Sequence, residues 1–220
     1  VTDPLVLPES ARVWTLTLNR PDTRNAMSGA MIAELQAALG DAAGDPECRA
    51  VIIAGAGKDF CSGADVGELL AARQSAGTIE YERTLESLLR TIEHQPQPVI
   101  AAAQGAALGA GCQLLLACDL VVAAEDARIG IPSARLGIVI PFENVERLVL
   151  AVGPKRAGEM LLTGEVPSGG EGERWGLINR AVPADLVRAG ARELADLVAS
   201  LAPLSVGRPN AGSTRWCTGR

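Results

Sequence analysis

The groups in this chain best placed to do chemistry are backbone N–H groups rather than side chains. Residues 104–119 read QGAALGAGCQLLLACD and follow a short apolar run, VIAAA at 99–103, long enough for a buried strand. Gly105, Gly109 and Gly111 let the backbone turn sharply and open it to close approach by a ligand. Residues 112–118 are apolar and rich in helix formers, so strand, glycine turn and helix follow one another. A helix starting there points unpaired N–H groups and a partial positive charge at whatever lies in front of it. Such a place suits a developing oxyanion.

A second glycine turn, GAGKDFCSGAD at 55–65, contains two decoys. A dinucleotide fingerprint G-x-G-x-x-G needs glycine where Phe60 stands. A phosphate loop G-x-x-x-x-G-K-[ST] needs Ser or Thr at Asp59 and glycine at Ile52. Both patterns fail at named positions, which leaves a second set of exposed donors running into a helix near Asp65. His94, beside Gln95 and Pro96 in a turn, lacks the neighbours of a metal cluster or a triad and reads as a solvated loop residue. The cysteines (Cys48, Cys61, Cys112, Cys118 and Cys217) are odd in number with no C-x-x-C pair, so they read as buried free thiols in a reduced, cytoplasmic compartment.

The elements that must position these turns are legible. Residues 12–18 alternate as a strand, with Trp14, Leu16 and Leu18 on one face. Ser28 can cap a helix carrying Met31, Ile32, Leu35 and Leu39 that ends near Gly40. AVIIA at 50–54 is a strand buried on both faces, 79–93 a periodic helix, and 120–124 another apolar strand. Helices over 145–152 and 154–162 follow. This order predicts an α/β fold with right-handed crossovers. The 220 residues fit one large domain or a domain with a small appendage, and 48% hydrophobic content with only 3% aromatics makes the core one of Ala, Val and Leu. A net charge of −6 argues against a nucleic-acid or polyanionic membrane partner. No run approaches the roughly 18 apolar residues of a membrane span. The opening VTDPLVLPES lacks a basic segment followed by an apolar one, so no secretory signal is read there.

LNRPDTRNAM at 18–27, GKDFCSGAD at 57–65, QPVIAAAQGAALGAGCQLLLACD at 97–119 and EDARIGIPSARLGI at 125–138 resemble, in order and spacing, the enoyl-CoA hydratase/isomerase or crotonase family. The resemblance covers roughly residues 10 to 200 and implies a spiral of repeated ββα units. It also implies two backbone N–H groups that hold the thioester oxygen of an acyl-CoA and stabilise an enolate. By position these belong to Ala64 and Ala110. The family usually has glycine at the latter; alanine keeps the N–H provided the residue sits at ordinary helical angles. Arg24, Asn25, Ala26 and Ser62, through its carbonyl, are placed along the coenzyme A path, with a solvated surface arginine the plainer reading of Arg24. Coenzyme A is part of the substrate, and no separate cofactor is expected.

The hydratases of that family use two glutamates, which fall at Gln113 and Ser133 here. Glutamine orients a water without taking its proton, and serine is not basic unless another group activates it. Loss of one acid/base group costs on the order of 10²–10⁴ in rate, so hydration is expected to be weak or absent. Other branches place a carboxylate on the following loop, aligned with Pro141; Glu143 is the nearest candidate, for double-bond isomerisation, and a helix start is its plainer reading. Asp65 and Asp119 read as a helix cap and a strand start.

The last quarter departs from the family. SGGEGERWG at 168–176 puts glycines where relatives have a short alanine-rich helix, each costing about 1 kcal/mol in a helix interior. Residues 206–220 lack periodicity and read as a disordered tail behind a 1–205 acyl-CoA-binding domain, with the usual C-terminal helical segment largely missing. A shift of reading frame near Ser205 would account for this. The resulting expectation is a crotonase-family acyl-CoA-binding protein, forming a homo-trimer or hexamer if the core is intact, with a separate chain supplying the missing helices as a further partner. The alternative is an inactive CoA-ester binder, an assembly subunit or the remnant of a disrupted gene.

Overall fold

The computed structural model describes residues 12–73 and 77–206. Its frame is a five-stranded, all-parallel sheet of β1 (Val13–Leu18), β2 (Ala50–Gly55), β3 (Val99–Ala103), β5 (Leu120–Ala124) and β7 (Arg180–Val182), in that spatial order. β2 and β3 are apolar runs, and every residue of both is buried, as strands covered on two faces require. Register is continuous across the centre, with Ile52 opposite Ile100 and Ala102 opposite Val122.

A smaller, ragged second sheet lies along the path of each connection. Its regular part pairs β4 (Ala106–Leu108) with β6 (Arg128–Gly130), and single bridges extend it through Cys61 to Ala107 and through Met27 to Ala64. The chain therefore repeats one motion. β1 leads to Met27 and then α1 (Gly29–Gly44). β2 leads to residues 61–64 and then α2 (Val66–Arg73) and α3 (Gly77–Glu93). β3 leads through β4 to α4 (Ala110–Ala117), and β5 through β6 to α5 (Phe142–Thr163). This is the spiral of ββα units implied by the resemblance. Helices α1, α3, α4 and α5 pack in succession, while α7 (Val187–Ser200) crosses β2, β3 and β5.

Three expectations need correction. α1 continues past Gly40 to Gly44, because the extra turn buries Ala42 completely. The glycine-rich segment does form a helix, α6 (Gly169–Trp175), closed by a capping box in which Ser168 accepts from the Glu171 N–H and Glu171 accepts from the Ser168 N–H. At its start a Cβ on Gly169 would collide with the Ala124 carbonyl, so there glycine is what lets the helix touch β5. Val206 belongs to a last helical turn, α8 (Pro203–Val206), rather than to a tail. The rest of the tail reading, with Trp216 and Cys217, lies outside the described residues. α5 breaks where two helices were read, at Gly153 with φ 76° before Pro154.

Candidate active site

Two backbone turns meet at the centre of the candidate site. On one side Met27 donates to the Gly63 carbonyl at 2.8 Å, and Asp65 donates to the Met27 carbonyl at 3.0 Å. Met27 thus bonds the residues flanking Ala64, which leaves the Ala64 N–H pointing away from that strand. On the other side Cys61 donates to Ala106 at 2.9 Å and Leu108 donates to Cys61 at 3.0 Å. Beyond those bonds the segments diverge at left-handed glycines, Gly63 with φ 121° and Gly109 with φ 52°. They stay in touch nonetheless: a Cβ on Gly109 would lie 3.7 Å from Gly63 Cα, and one on Gly111 would collide with the Cys61 carbonyl. No side chain fits between the start of α4 and the 61–64 turn.

Ala110 opens α4, and among the described residues only Arg24 and Asn25 are non-glycine residues with positive φ. The alanine therefore keeps ordinary helical angles and a usable N–H. Among the described residues, neither the Ala64 nor the Ala110 N–H is donated to a protein acceptor. Two unpaired donors at touching turns form an anion-accepting corner.

Gln113 stands one turn along α4 and is 7% exposed. Its own N–H donates to the Gly109 carbonyl at 3.0 Å, but its side-chain Oε1 is buried without any partner. Ser133 begins a 3-10 turn (Ser133–Arg135) shortly after Gly130, whose carbonyl accepts from the Gly109 N–H at 2.9 Å. That bond ties the β6 exit, and hence the Ser133 segment, to the head of α4.

Glu143 is not brought to this corner. It sits in the first turn of α5 after the N-cap Pro141, and it lines a groove of about 740 Å³ whose walls include Glu82, Glu86, Arg90 and His94. Ala64, Ala110, Gln113 and Ser133 do not line that groove. Beside it the buried Arg147 clamps α5 to α3, holding Glu86 (2.7 and 2.9 Å) and Glu93 (2.8 and 3.1 Å) through paired bonds. Burial opposes ionisation of Glu86, but the bonds from Arg147 and Arg90 hold its carboxyl below the usual range. Burial alone raises Glu82, which faces the same groove.

The 20–26 loop borders the corner. Arg24 and Asn25 both adopt left-handed angles, φ 56° and 55°, a conformation that costs a non-glycine residue energy. Asn25 holds the strain: its fully buried amide accepts from the Arg20 N–H (2.9 Å) and donates to the Ala56 (2.9 Å) and Asp59 (2.8 Å) carbonyls. Its side chain is therefore a staple, and what it offers a ligand is the backbone it fixes. Arg24 is more than a solvated arginine. It reaches Asp59 at 2.8 Å, and its hydrogen bond holds the Asp59 carboxyl below the usual range. Ser62 donates to the Arg24 carbonyl at 3.0 Å, and Ala26 gives its carbonyl to Arg20 at 2.8 Å.

Sequence reading missed Arg20 and Asp59. Arg20 bridges Ala26 to Asp65 at 3.0 Å, while Asp59 also accepts from the Ala106 N–H at 2.7 Å, joining the two glycine turns. An aspartate inside a glycine turn was the available signal for the second. Asp65 caps α2 through the Gly67 N–H at 3.0 Å, and Asp119 accepts from the Val99 N–H at 2.8 Å.

Comparison with known proteins places this geometry. The family model described as enoyl-CoA hydratase/isomerase matches residues 8–208. The chain is 38% identical over 202 residues to the 2,3-dehydroadipyl-CoA hydratase of Escherichia coli, covering 92% of this chain and 78% of that protein. It is 35% identical over 207 residues to the short-chain-enoyl-CoA hydratase of Clostridium acetobutylicum, covering 92% and 77%. The crystal structure of enoyl-CoA hydratase from Bacillus anthracis superposes with a TM-score of 0.88 at 36% identity, covering 92% of this chain and 79% of that one. On the match across nearly its whole length, the chain belongs to the enoyl-CoA hydratase/isomerase family.

Proposed function

We propose that this chain binds an acyl-CoA and receives the thioester oxygen between the N–H groups of Ala64 and Ala110. The observation that carries the reading is the pair of unpaired donors at two touching turns. The relatives' names, hydratases of CoA thioesters, supply the substrate class. As charge moves onto the oxygen, both donors strengthen their bonds to it, which favours enolate over neutral thioester. Arg24, Asn25, Ala26 and Ser62 form the coenzyme A side, with Asn25 acting through the backbone it fixes. Coenzyme A enters only as part of the substrate.

The chemistry beside the hole is of low demand. Gln113 holds a water or a substrate group without accepting its proton, and Ser133 has no printed base behind it. Hydration is accordingly slow. Isomerisation of a double bond is the simpler turnover, and Glu143 is the carboxylate to test for it, although it faces the α3–α5 groove. A second reading, a binder without turnover, is favoured by the Gln113 amide, which cannot titrate.

Calorimetric titration with a non-hydrolysable thioether analogue of an acyl-CoA, run beside a crotonyl-CoA hydration assay, tests both. Saturable binding with a hydration rate at least 10²-fold below that of a two-glutamate relative is the expected result. The paired substitution Gln113→Glu, Ser133→Glu should then raise hydration. A folded sample that takes no analogue overturns the reading.

A further inference from the structure

We infer that Gln113 selects acyl thioesters carrying a hydroxyl on the third carbon of the chain, counted from the thioester carbonyl. The inference rests on the proposed placement of the thioester oxygen. α4 has eight residues, and its unpaired first turn is joined by an independent feature: a side-chain amide that is 7% exposed with its oxygen buried and unpartnered. Among the described residues no protein group bonds the other end of that amide either. Buried amides without partners are rare, because the group gives up water and receives nothing in return.

The direction of the side chain follows from helix geometry. Residues three apart share a face, and Cα–Cβ bonds lean toward the helix N-terminus, so the Gln113 amide lies over the turn that presents the Ala110 N–H. With the thioester oxygen held there, the first few carbons of the acyl chain pass the amide. An unsubstituted chain leaves it unpaired. A hydroxyl on the third carbon both donates and accepts, so it satisfies the amide in either of its two orientations. A carboxylate at this place would exchange a proton with the same hydroxyl; an amide only reads it. Gln113 is thus a specificity residue here, and its preference is independent of pH.

The test compares butanoyl-CoA with 3-hydroxybutanoyl-CoA, each 3-epimer separately, by calorimetry on the full chain at several pH values between 5.5 and about 8.5. The expected result is about tenfold tighter binding of one hydroxylated epimer, the ratio staying flat across that range. In Gln113→Met the ratio should collapse to about one. In Gln113→Glu a preference should return and vary with pH. Equal affinities for both ligands on the unaltered chain overturn the inference and leave the acyl-CoA reading standing. A preference that survives Gln113→Met also overturns it. No binding of any acyl-CoA by folded protein defeats the underlying reading, and the inference with it.

Discussion

The alanine at position 110 poses a question that a single residue answers. A glycine there would be free to take positive φ, and alanine would resist it. The helix begins at Ala110 with ordinary angles, and the left-handed turn is carried one residue earlier, by Gly109. The donor can therefore be removed cleanly, since proline is tolerated at the first helical position and differs chiefly in lacking the N–H. Ala110→Pro should fold as the parent does by circular dichroism and lower any thioester turnover about 10²–10³-fold. Binding of an acyl-CoA should weaken in the same calorimeter. A variant with undiminished turnover would show that the oxygen is held elsewhere. The same scale explains the thiols: Cys61 and Cys112 are completely buried and their pKa is pushed up to about 12, so neither is a nucleophile for this site.

Between elements, the strongest single tie is the Arg147 clamp from α5 to α3. A buried guanidinium meets two carboxylates, and removing it leaves those charges without compensation. Arg147→Met should cost about 3–5 kcal/mol in urea unfolding. Because the folded state holds Glu86 below its ordinary pKa, the clamp contributes fully above the usual carboxylate range and is lost as pH falls through the lowered value. Stability of the parent should therefore fall more steeply below about pH 4.5 than that of the variant. None of this was legible in the chain order. Strands β2, β3 and β5 were, because runs such as AVIIA and VIAAA have one stable environment. β4 was not: three residues inside a glycine turn carry no period, and only pairing with β6 makes them a strand. The corner at Ala64 and Ala110 was readable because glycines mark places where backbones approach. Glu143 was misjudged for the opposite reason, since nearness along the chain does not say which side of a helix faces the site.

At the level of the whole molecule, the apolar surface is uneven. Val139 is 89% exposed, Phe142 74% and Leu162 83%, on or just before α5, in a chain with few aromatics to waste on solvent. Exposed apolar groups of this size mark contacts with another chain. The proposed homo-trimer or hexamer would cover them, and light scattering at micromolar concentration should report a mass above that of one chain. Val139→Asp with Phe142→Asp should return it to a monomer. A parent that is monomeric at all concentrations would remove the assembly from consideration.

The contact of Gly111 with the Cys61 carbonyl has a consequence for how such a site changes over generations. What anchors the ligand is written in main-chain atoms pressed together where no side chain fits, while what reacts is written in the side chains at positions 113 and 133. The two can vary independently. A lineage is free to exchange the reacting groups, even to lose them, without disturbing the grip on the thioester. The present chain, with its glutamine and serine beside an undamaged corner, has the form that such drift leaves behind.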